Sequence, residues 1–165
     1  MTSIVAVVGS GNTGKTTVIE KLIPVLQQRG YRVGCVKHVA HNFALDPSGK
    51  DSWRHRAAGA ETVVVDANDQ MVMFKALAPR SDSDRLINEI LSYFTDVDIV
   101  LAEGYKSVDI PKIEIFRGER QKQPLCIDDA NLLAIVTDRR INAVVPQLAT
   151  DDVAGIADVI ERQIR

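Results

Sequence analysis

Apolar positions follow two patterns along this chain: short continuous runs, and runs in which apolar residues recur every three to four positions. The continuous runs are rich in β-branched residues and predict buried strands, whereas the spaced runs predict amphipathic helices. We expect strands at residues 4–8, 31–37, 61–66, 70–75, 97–103, 111–117, 132–138 and 142–146. We expect helices at residues 15–29, 50–58, 81–94 and from Asp151 or Asp152 through Ile164.

The order of these elements predicts an α/β fold in which helices flank a mainly parallel sheet. Residues 67–69 form a connection of hairpin length, so the two strands that it joins are expected to be antiparallel. The run 111–117 alternates polar and apolar residues, which indicates a half-buried strand. Ser81 and Asp84 have the spacing of a capping box at the start of the third helix.

The loop between the first strand and the first helix, residues 9–17, reads GSGNTGKTT and matches the phosphate-loop pattern G-x-x-x-x-G-K-[ST]. Glycines let the backbone approach an anion, and free N–H groups of the first helical turn then point at phosphate oxygens. Lys15 would supply charge to the β and γ phosphates, and Thr16 a hydroxyl ligand for Mg²⁺. The alternative is a chance glycine turn. The expected nucleotide-binding residues are Gly11, Asn12, Thr13, Gly14, Lys15, Thr16 and Thr17. We therefore expect a single P-loop nucleotide-binding domain over residues 1–165.

Acidic residues are expected on the metal side of this loop. An apolar strand that ends in Glu103 is typical of the second carboxylate beside Mg²⁺ in P-loop proteins, so Lys15 and Glu103 are the candidate catalytic residues. A strand that merely ends in a polar residue is the alternative. The polar segment after the second strand offers Asp46 or Asp51 for a switch-like Mg²⁺ contact. The candidate metal ligands are thus Thr16, Asp46 and Glu103.

Two further strand ends carry candidate contacts, because ligands bind at this edge of open α/β sheets. Lys37 and His38 would face a bound anion there. The alternatives for His38 are a structural role and a transition-metal site shared with His41. Asp138 would accept hydrogen bonds from guanine N1–H and N2–H₂, although a plain charged turn is equally compatible because the N-K-x-D pattern is absent.

The composition is ordinary for a globular chain of 165 residues, with 45% hydrophobic and 25% charged residues and a formal net charge of −2. This balance argues against general binding to nucleic acid or to an anionic membrane. Cys35 and Cys126 lie in apolar runs and are expected to be buried and reduced. The first apolar run is too short for a signal peptide and no run is long enough to span a bilayer, so a cytoplasmic location is expected.

Four stretches together resemble the MobB family, the molybdopterin-guanine dinucleotide biosynthesis adaptor proteins: residues 9–17, 36–38, 46–52 and 101–106. The sequence GKDS in the third stretch and EGYK in the fourth are more specific than the phosphate loop, which many NTPases share. The family is similar in fold to the SIMIBI class of P-loop NTPases.

The resemblance implies a GTP-binding homodimer with weak GTPase activity, in which Asp46 and Glu103 match acidic positions near Mg²⁺. It also implies that the protein helps a partner, the guanylyltransferase MobA, attach GMP to molybdopterin to form its guanine dinucleotide. An alternative function stays open, a nucleotide-gated binding module that catalyses no reaction. So does a P-loop small-molecule kinase that binds its acceptor through Lys37, His38, Tyr105 and Lys106.

Overall fold

The computed structural model describes residues 2–39, 46–77 and 83–164. Contacts group the chain into two compact units, one made of Met1–His38 with Asp82–Arg165 and the other of Val39–Ser81. A single nucleotide-binding domain over residues 1–165 stays a prediction. The capping residue Ser81 and the histidine His41 lie outside the described residues.

The helices and strands occur in the predicted order, with one exception near the carboxyl terminus. They are β1 (Ser3–Val8), α1 (Lys15–Gln28), β2 (Val33–Lys37), α2 (Asp51–Ala57), β3 (Thr62–Ala67), β4 (Gln70–Lys75), α3 (Ser83–Leu91), β5 (Ile99–Glu103), β6 (Lys112–Phe116), β7 (Leu132–Thr137), β8 (Gln147–Leu148) and α4 (Val153–Ile164). Among the described residues, no helix combines the length and the apolar character that crossing a membrane requires.

Six strands of the larger unit form one sheet in the order β2-β5-β1-β6-β7-β8, and all neighbouring pairs are parallel. β1, β5 and β7 are nearly continuous apolar runs because both faces of a central parallel strand are covered. β1 lies between β5 and β6, so the loop that follows it leaves the middle of the sheet at its carboxyl edge. This arrangement confirms the predicted α/β fold.

Hydrophobic clusters cover both faces of this sheet. On one face, Val5 and Val7 of β1 pack in a cluster that includes the buried sides of α1 and α4. On the other face, Ala6 and Val8 pack in a second cluster that includes Ile87 of α3. The alternation along β1 therefore sends successive side chains into two different cores, which fixes the strand in place.

The smaller unit contains α2 and a two-stranded antiparallel sheet formed by β3 and β4. The hairpin confirms the prediction from the three-residue connection. In this unit the Arg56 guanidinium lies 4.9 Å from the centre of the Phe74 ring. Arg56 thus joins the helix to the second strand of the hairpin.

The prediction of a half-buried strand at residues 111–117 was wrong, because all five residues of β6 are buried. β6 lies between β1 and β7, so both of its faces are covered. Lys112 donates a hydrogen bond to the Val108 carbonyl at 2.9 Å and pairs with Asp129 at 2.5 Å. Glu114 accepts backbone hydrogen bonds from the loop after the strand. The polar positions in this run are therefore buried charges with specific partners.

The short strand predicted at residues 142–146 was also wrong, since the last strand is β8. The side chain of Gln147 forms hydrogen bonds with both backbone groups of Ile141. The Ile141 N–H donates to Oε1 at 2.9 Å, and Nε2 donates to the Ile141 carbonyl at 2.8 Å. Val144 is fully exposed, whereas Ala143 and Val145 are partly buried and pack against the second core cluster without pairing as a strand. Strand pairing consequently begins at Gln147, opposite Ile135.

The two cysteines differ in their surroundings, although both are free. Cys126 is buried as predicted, and burial raises the pKa of its thiol. Cys35 is exposed, which contradicts the prediction. The reason is that β2 is an edge strand of the sheet, so an apolar run there does not ensure cover on every side.

Candidate functional site

The loop at residues 9–14 joins β1 to α1 in an unusual backbone conformation. Its φ angles are positive at Gly9 (142°), Asn12 (59°) and Gly14 (94°). At Gly9 the need for glycine is steric as well, because a Cβ atom would lie 2.4 Å from the Ile115 carbonyl oxygen of β6. At Gly11 a Cβ atom would meet nothing within 4 Å. The loop is thus packed tightly at its start and open in its middle.

The amino end of α1 is left without a cap. No side chain forms a capping hydrogen bond there, and no acidic residue lies in the first turn. Val18 N–H donates to the Gly14 carbonyl at 3.0 Å and closes the first turn. The N–H groups of Lys15, Thr16 and Thr17 precede that bond, and such groups have no partner within a helix. They lie at the positive end of the helix dipole, where an anion is stabilised.

The Lys15 ammonium folds back on the loop. Nζ donates to the carbonyl oxygens of Gly9 at 3.2 Å and Ser10 at 2.7 Å. Burial lowers the pKa of Lys15, the negative charge of Glu103 opposes that shift, and the nearby Lys37 adds to it. To bind a phosphate, this ammonium would exchange carbonyl oxygens for phosphate oxygens, which carry more charge.

Glu103 connects the loop to the neighbouring strand. In the sheet it pairs with Val7 of β1 on one side and with Lys37 of β2 on the other. Its Oε2 accepts a hydrogen bond from the Thr16 hydroxyl at 3.0 Å, and its Oε1 lies 3.2 Å from Lys37 Nζ. The strand register therefore brings together three residues that the sequence predicted as separate parts of one site.

The segment after β5 is strained and packs against the end of β2. Gly104 and Tyr105 both have positive φ angles, 97° and 59°. A Cβ atom at Gly104 would lie 3.3 Å from the Cβ of His38, and the His38 and Tyr105 rings are 5.3 Å apart. Tyr105 is only 7% exposed, and burial raises the pKa of its hydroxyl, so it offers little surface to an acceptor substrate. His38 and Lys106 are exposed.

Asp138 follows β7 directly and is exposed. One of its carboxylate oxygens accepts a long hydrogen bond of 3.4 Å from Gly118 N–H. It lines a depression of about 520 Å³ together with Thr137, Arg139, Arg140, Ile141, Gln147, Leu148 and Ala149. The ends of β7 and β8 thus form a concave surface that contains a carboxylate and two guanidinium groups.

The remaining acidic candidates belong to the smaller unit. Asp46 is buried, accepts a hydrogen bond from the Ser52 hydroxyl at 2.9 Å and lies 3.5 Å from an Arg56 nitrogen. Asp51 is exposed at the start of α2 and pairs with Arg54 at 3.7 Å. Their roles as Mg²⁺ ligands stay predictions. In the described part of the chain, no group of three or more His, Cys, Asp or Glu residues has the arrangement of a metal site.

Two residues from the loop after β6 contact the phosphate loop, and neither was predicted from the sequence. Arg117 Nε donates to the Thr13 carbonyl at 3.3 Å, and Gln121 Oε1 accepts a hydrogen bond from the Ser10 hydroxyl. These partners are 104 and 111 positions apart in the sequence. Local sequence patterns do not report such contacts. For Gln121 the available signal was the density of polar residues at 118–124, whereas Arg117 was placed at the end of a predicted strand.

Residues 4–138 match the model of a protein family, MobB, described as "Molybdopterin guanine dinucleotide synthesis protein B". The chain belongs to the MobB family. The molybdopterin-guanine dinucleotide biosynthesis adapter protein of Escherichia coli (strain K12) is 34% identical to it over 97% of this chain and 92% of its own. The protein of the same name from Haemophilus influenzae is 38% identical over 96% of this chain and 87% of its own.

Solved MobB structures share the fold. The crystal structure of Bacillus subtilis MobB superimposes with a TM-score of 0.75 at 29% identity, covering 99% of this chain and 98% of that one. A crystal structure of molybdopterin-guanine biosynthesis protein B (MobB) gives a TM-score of 0.71 at 28% identity, covering 98% and 99%. The resemblance found in the sequence is therefore confirmed, and the MobB family model spans the phosphate loop, Glu103 and Asp138.

Proposed function

We propose that this MobB chain is a Mg²⁺-dependent GTP-binding adapter protein in the biosynthesis of molybdopterin guanine dinucleotide. The observation that carries the proposal is the uncapped amino end of α1 with Lys15 beside it and the Thr16–Glu103 pair in front of it. Helix N–H groups and an ammonium complement a triphosphate, because both stabilise negative charge. The names of the relatives support a role as an adapter protein in this pathway.

The donor set beside Lys15 fits Mg²⁺. A hydroxyl and a carboxylate, from Thr16 and Glu103, lie within 3.0 Å of each other. Mg²⁺ prefers oxygen ligands and is held by few protein groups, with water and substrate phosphates completing its shell. Thr16 and Glu103 would hold the ion. When bound, the ion supplies positive charge that offsets charge on the phosphates.

Guanine recognition is assigned to Asp138. The depression that it lines has acceptor and donor groups at its rim, and its position after β7 is at the ligand-binding edge of the sheet. A carboxylate there accepts hydrogen bonds from N1–H and N2–H₂ of guanine, whereas adenine does not present that pair of donors. Asp138 would thus make the site prefer GTP to ATP.

We expect hydrolysis to be slow in the isolated protein. The reaction is attack of water on the γ-phosphorus with GDP as leaving group, stabilised by Lys15. Glu103 contacts Thr16 and Lys37 and would be a ligand of Mg²⁺, so we do not assign it the role of the base that activates the water. A partner that supplies the missing group would raise the rate. That partner is proposed to be the guanylyltransferase MobA, acting on molybdopterin.

We propose that the protein is a homodimer, as the resemblance to the family implies, and that it is located in the cytoplasm. Sedimentation equilibrium of the full chain tests the dimer, which predicts about twice the mass of one chain. A mass of one chain over the micromolar range would contradict it. Adding GTP with Mg²⁺ to a mixture with MobA is expected to strengthen association of the two proteins in the same instrument.

Calorimetric titration of GTP and of ATP, each with and without Mg²⁺, tests the nucleotide site. We expect GTP to bind more tightly than ATP, and Mg²⁺ to strengthen binding. Lys15→Ala should weaken GTP binding about tenfold or more, because a charge-assisted contact contributes about 1.5–3 kcal/mol. Lys21→Ala, an exposed lysine of the same helix, is the matched control and should bind as the wild type does. An equal loss of GTP affinity in both variants would contradict the assignment of Lys15 to the nucleotide site.

A further inference from the structure

Glu114 is a fully buried carboxylate that the proposed nucleotide chemistry does not use. It lies in β6, and its two oxygens accept hydrogen bonds from Leu125 N–H at 2.6 Å and Cys126 N–H at 2.8 Å. A third donor, Nε2 of Gln121, lies 3.1 Å from Oε1. A buried charge is costly unless donors surround it, so these three bonds fix the loop after β6 to the centre of the sheet.

Gln121 carries this anchorage to the phosphate loop. Its amide nitrogen is held by Glu114, which orients the amide oxygen outward, and that oxygen accepts the hydrogen bond from the Ser10 hydroxyl. An amide that is bound at both ends has little rotational freedom. The position of Ser10 is therefore tied, through one side chain, to a residue with no exposure to solvent.

Ser10 is also the residue on which the phosphate loop closes on itself. Its carbonyl oxygen accepts from Lys15 Nζ at 2.7 Å and from the Thr13 hydroxyl at 3.0 Å. The Thr13 carbonyl in turn accepts from Arg117 Nε at 3.3 Å. The loop after β6 consequently contacts the phosphate loop at two points, Ser10 and Thr13.

We propose that Gln121 is a positioning residue for the phosphate loop, with Glu114 as its anchor. The proposal rests on the proposed function, since it assigns Gln121 a part in presenting the loop to a nucleotide. Lys15 must leave the Ser10 carbonyl to reach a phosphate, and Gln121 keeps its bond to the Ser10 hydroxyl when this happens. The loop then holds its anion-binding shape without the lysine.

The test compares Gln121→Ala with Gln123→Ala, an exposed glutamine in the same loop that makes the same change in composition. Amide hydrogen exchange of the nucleotide-free proteins is measured on a peptide that covers residues 9–17. We expect faster exchange in that peptide for Gln121→Ala and wild-type exchange for Gln123→Ala, because only the first variant frees Ser10. Unchanged exchange in Gln121→Ala would overturn the proposal.

Calorimetric titration of GTP on the same variants gives the functional consequence. Loss of one neutral hydrogen bond predicts about a five-fold weaker affinity for Gln121→Ala. If Gln121 acts through Ser10, the variant Ser10→Ala and the double variant should lose the same factor as Gln121→Ala alone. Additive losses would mean that Gln121 acts elsewhere, and would overturn the proposal.

The two measurements separate this role from the nucleotide proposal. If the wild type binds no nucleotide, the proposed function fails, and the exchange of residues 9–17 still decides whether Gln121 holds the loop. Should Gln121→Ala fail to fold, Ser10→Ala removes the same hydrogen bond from the other side. Faster exchange in Ser10→Ala than in Gln123→Ala would then support the role, and equal exchange would refute it.

Discussion

Replacing Glu114 by alanine tests how much of the stability of this fold depends on one buried carboxylate. The change leaves the N–H groups of Leu125 and Cys126 without their acceptors; Cys126 is buried, whereas Leu125 is 48% exposed. It also leaves the Gln121 amide without its anchor. Because Cys126 is buried, water cannot replace its hydrogen bond without entering the core.

The size of the loss in unfolding free energy follows from the buried donors that are left without an acceptor. A buried donor without a partner costs about 1–3 kcal/mol, so the Cys126 N–H predicts a loss of about that size. Removing the side chain also leaves a cavity, which adds to the loss. Removing the Glu114 carboxylate also removes the cost of burying its charge, which would reduce the loss of stability. In the native protein, however, three hydrogen-bond donors already offset that cost. Since whole domains are stable by about 5–15 kcal/mol, Glu114→Ala should be a severe change.

Urea unfolding monitored by circular dichroism measures this loss. Glu114→Gln keeps the shape but replaces one acceptor by a donor, so it should lie between the wild type and Glu114→Ala. Glu119→Ala, an exposed glutamate in the adjacent loop, is the control and should stay within about 0.5 kcal/mol of the wild type. If Glu114→Ala were as stable as Glu119→Ala, the buried hydrogen bonds would contribute nothing net and the reasoning would be refuted.

Two glycines of the phosphate loop should respond differently to alanine. Gly9→Ala places a Cβ atom 2.4 Å from the Ile115 carbonyl oxygen and should lower the melting temperature. The Cβ atom of Gly11→Ala meets no atom within 4 Å, so this variant should keep the wild-type melting temperature. We expect Gly11→Ala to weaken GTP binding, which calorimetry measures. A stable Gly9→Ala or an unstable Gly11→Ala would contradict this steric account. Hydrogen bonds from Arg32 hold the pKa of Asp98 down at about 2, below its ordinary 3.8, so this carboxylate stabilises the fold above pH 4 and loses its effect as the pH falls through 2. Asp98→Asn should therefore be less stable than the wild type at pH 7, with a gap in urea unfolding that closes toward pH 2; a gap that does not change with pH would refute the linkage.

The sequence was informative wherever a local pattern and the tertiary environment agreed. Glu103 was predicted from an apolar strand with an acidic end, and the register places it between Val7 and Lys37, where its side chain meets Thr16. The hairpin of β3 and β4 was likewise predicted from its short connection. In both cases the decisive information lies within a few residues of the feature.

The errors arose where distant residues decide the environment. Lys112 and Glu114 are polar and alternate with apolar residues, yet the position of β6 in the middle of the sheet buries them. Cys35 lies in an apolar run, but an edge strand leaves it exposed. The contact of Gln121 with Ser10 depends on residues 111 positions apart. Strand order, which one sequence does not reveal, controls all three outcomes.

The parallel sheet has a consequence for how the protein is made. β1 leaves the ribosome before its neighbours β5 and β6, so Val7 must wait for Glu103 and Ile113. Such pairings between distant segments form slowly, because a long loop has to close before any contact stabilises it. A nucleotide at the proposed site would stabilise only the folded chain, so it would not assist the early stages of synthesis. The phosphate loop is thus translated well before the strands that fix its position, and it reaches its final conformation only after they have formed.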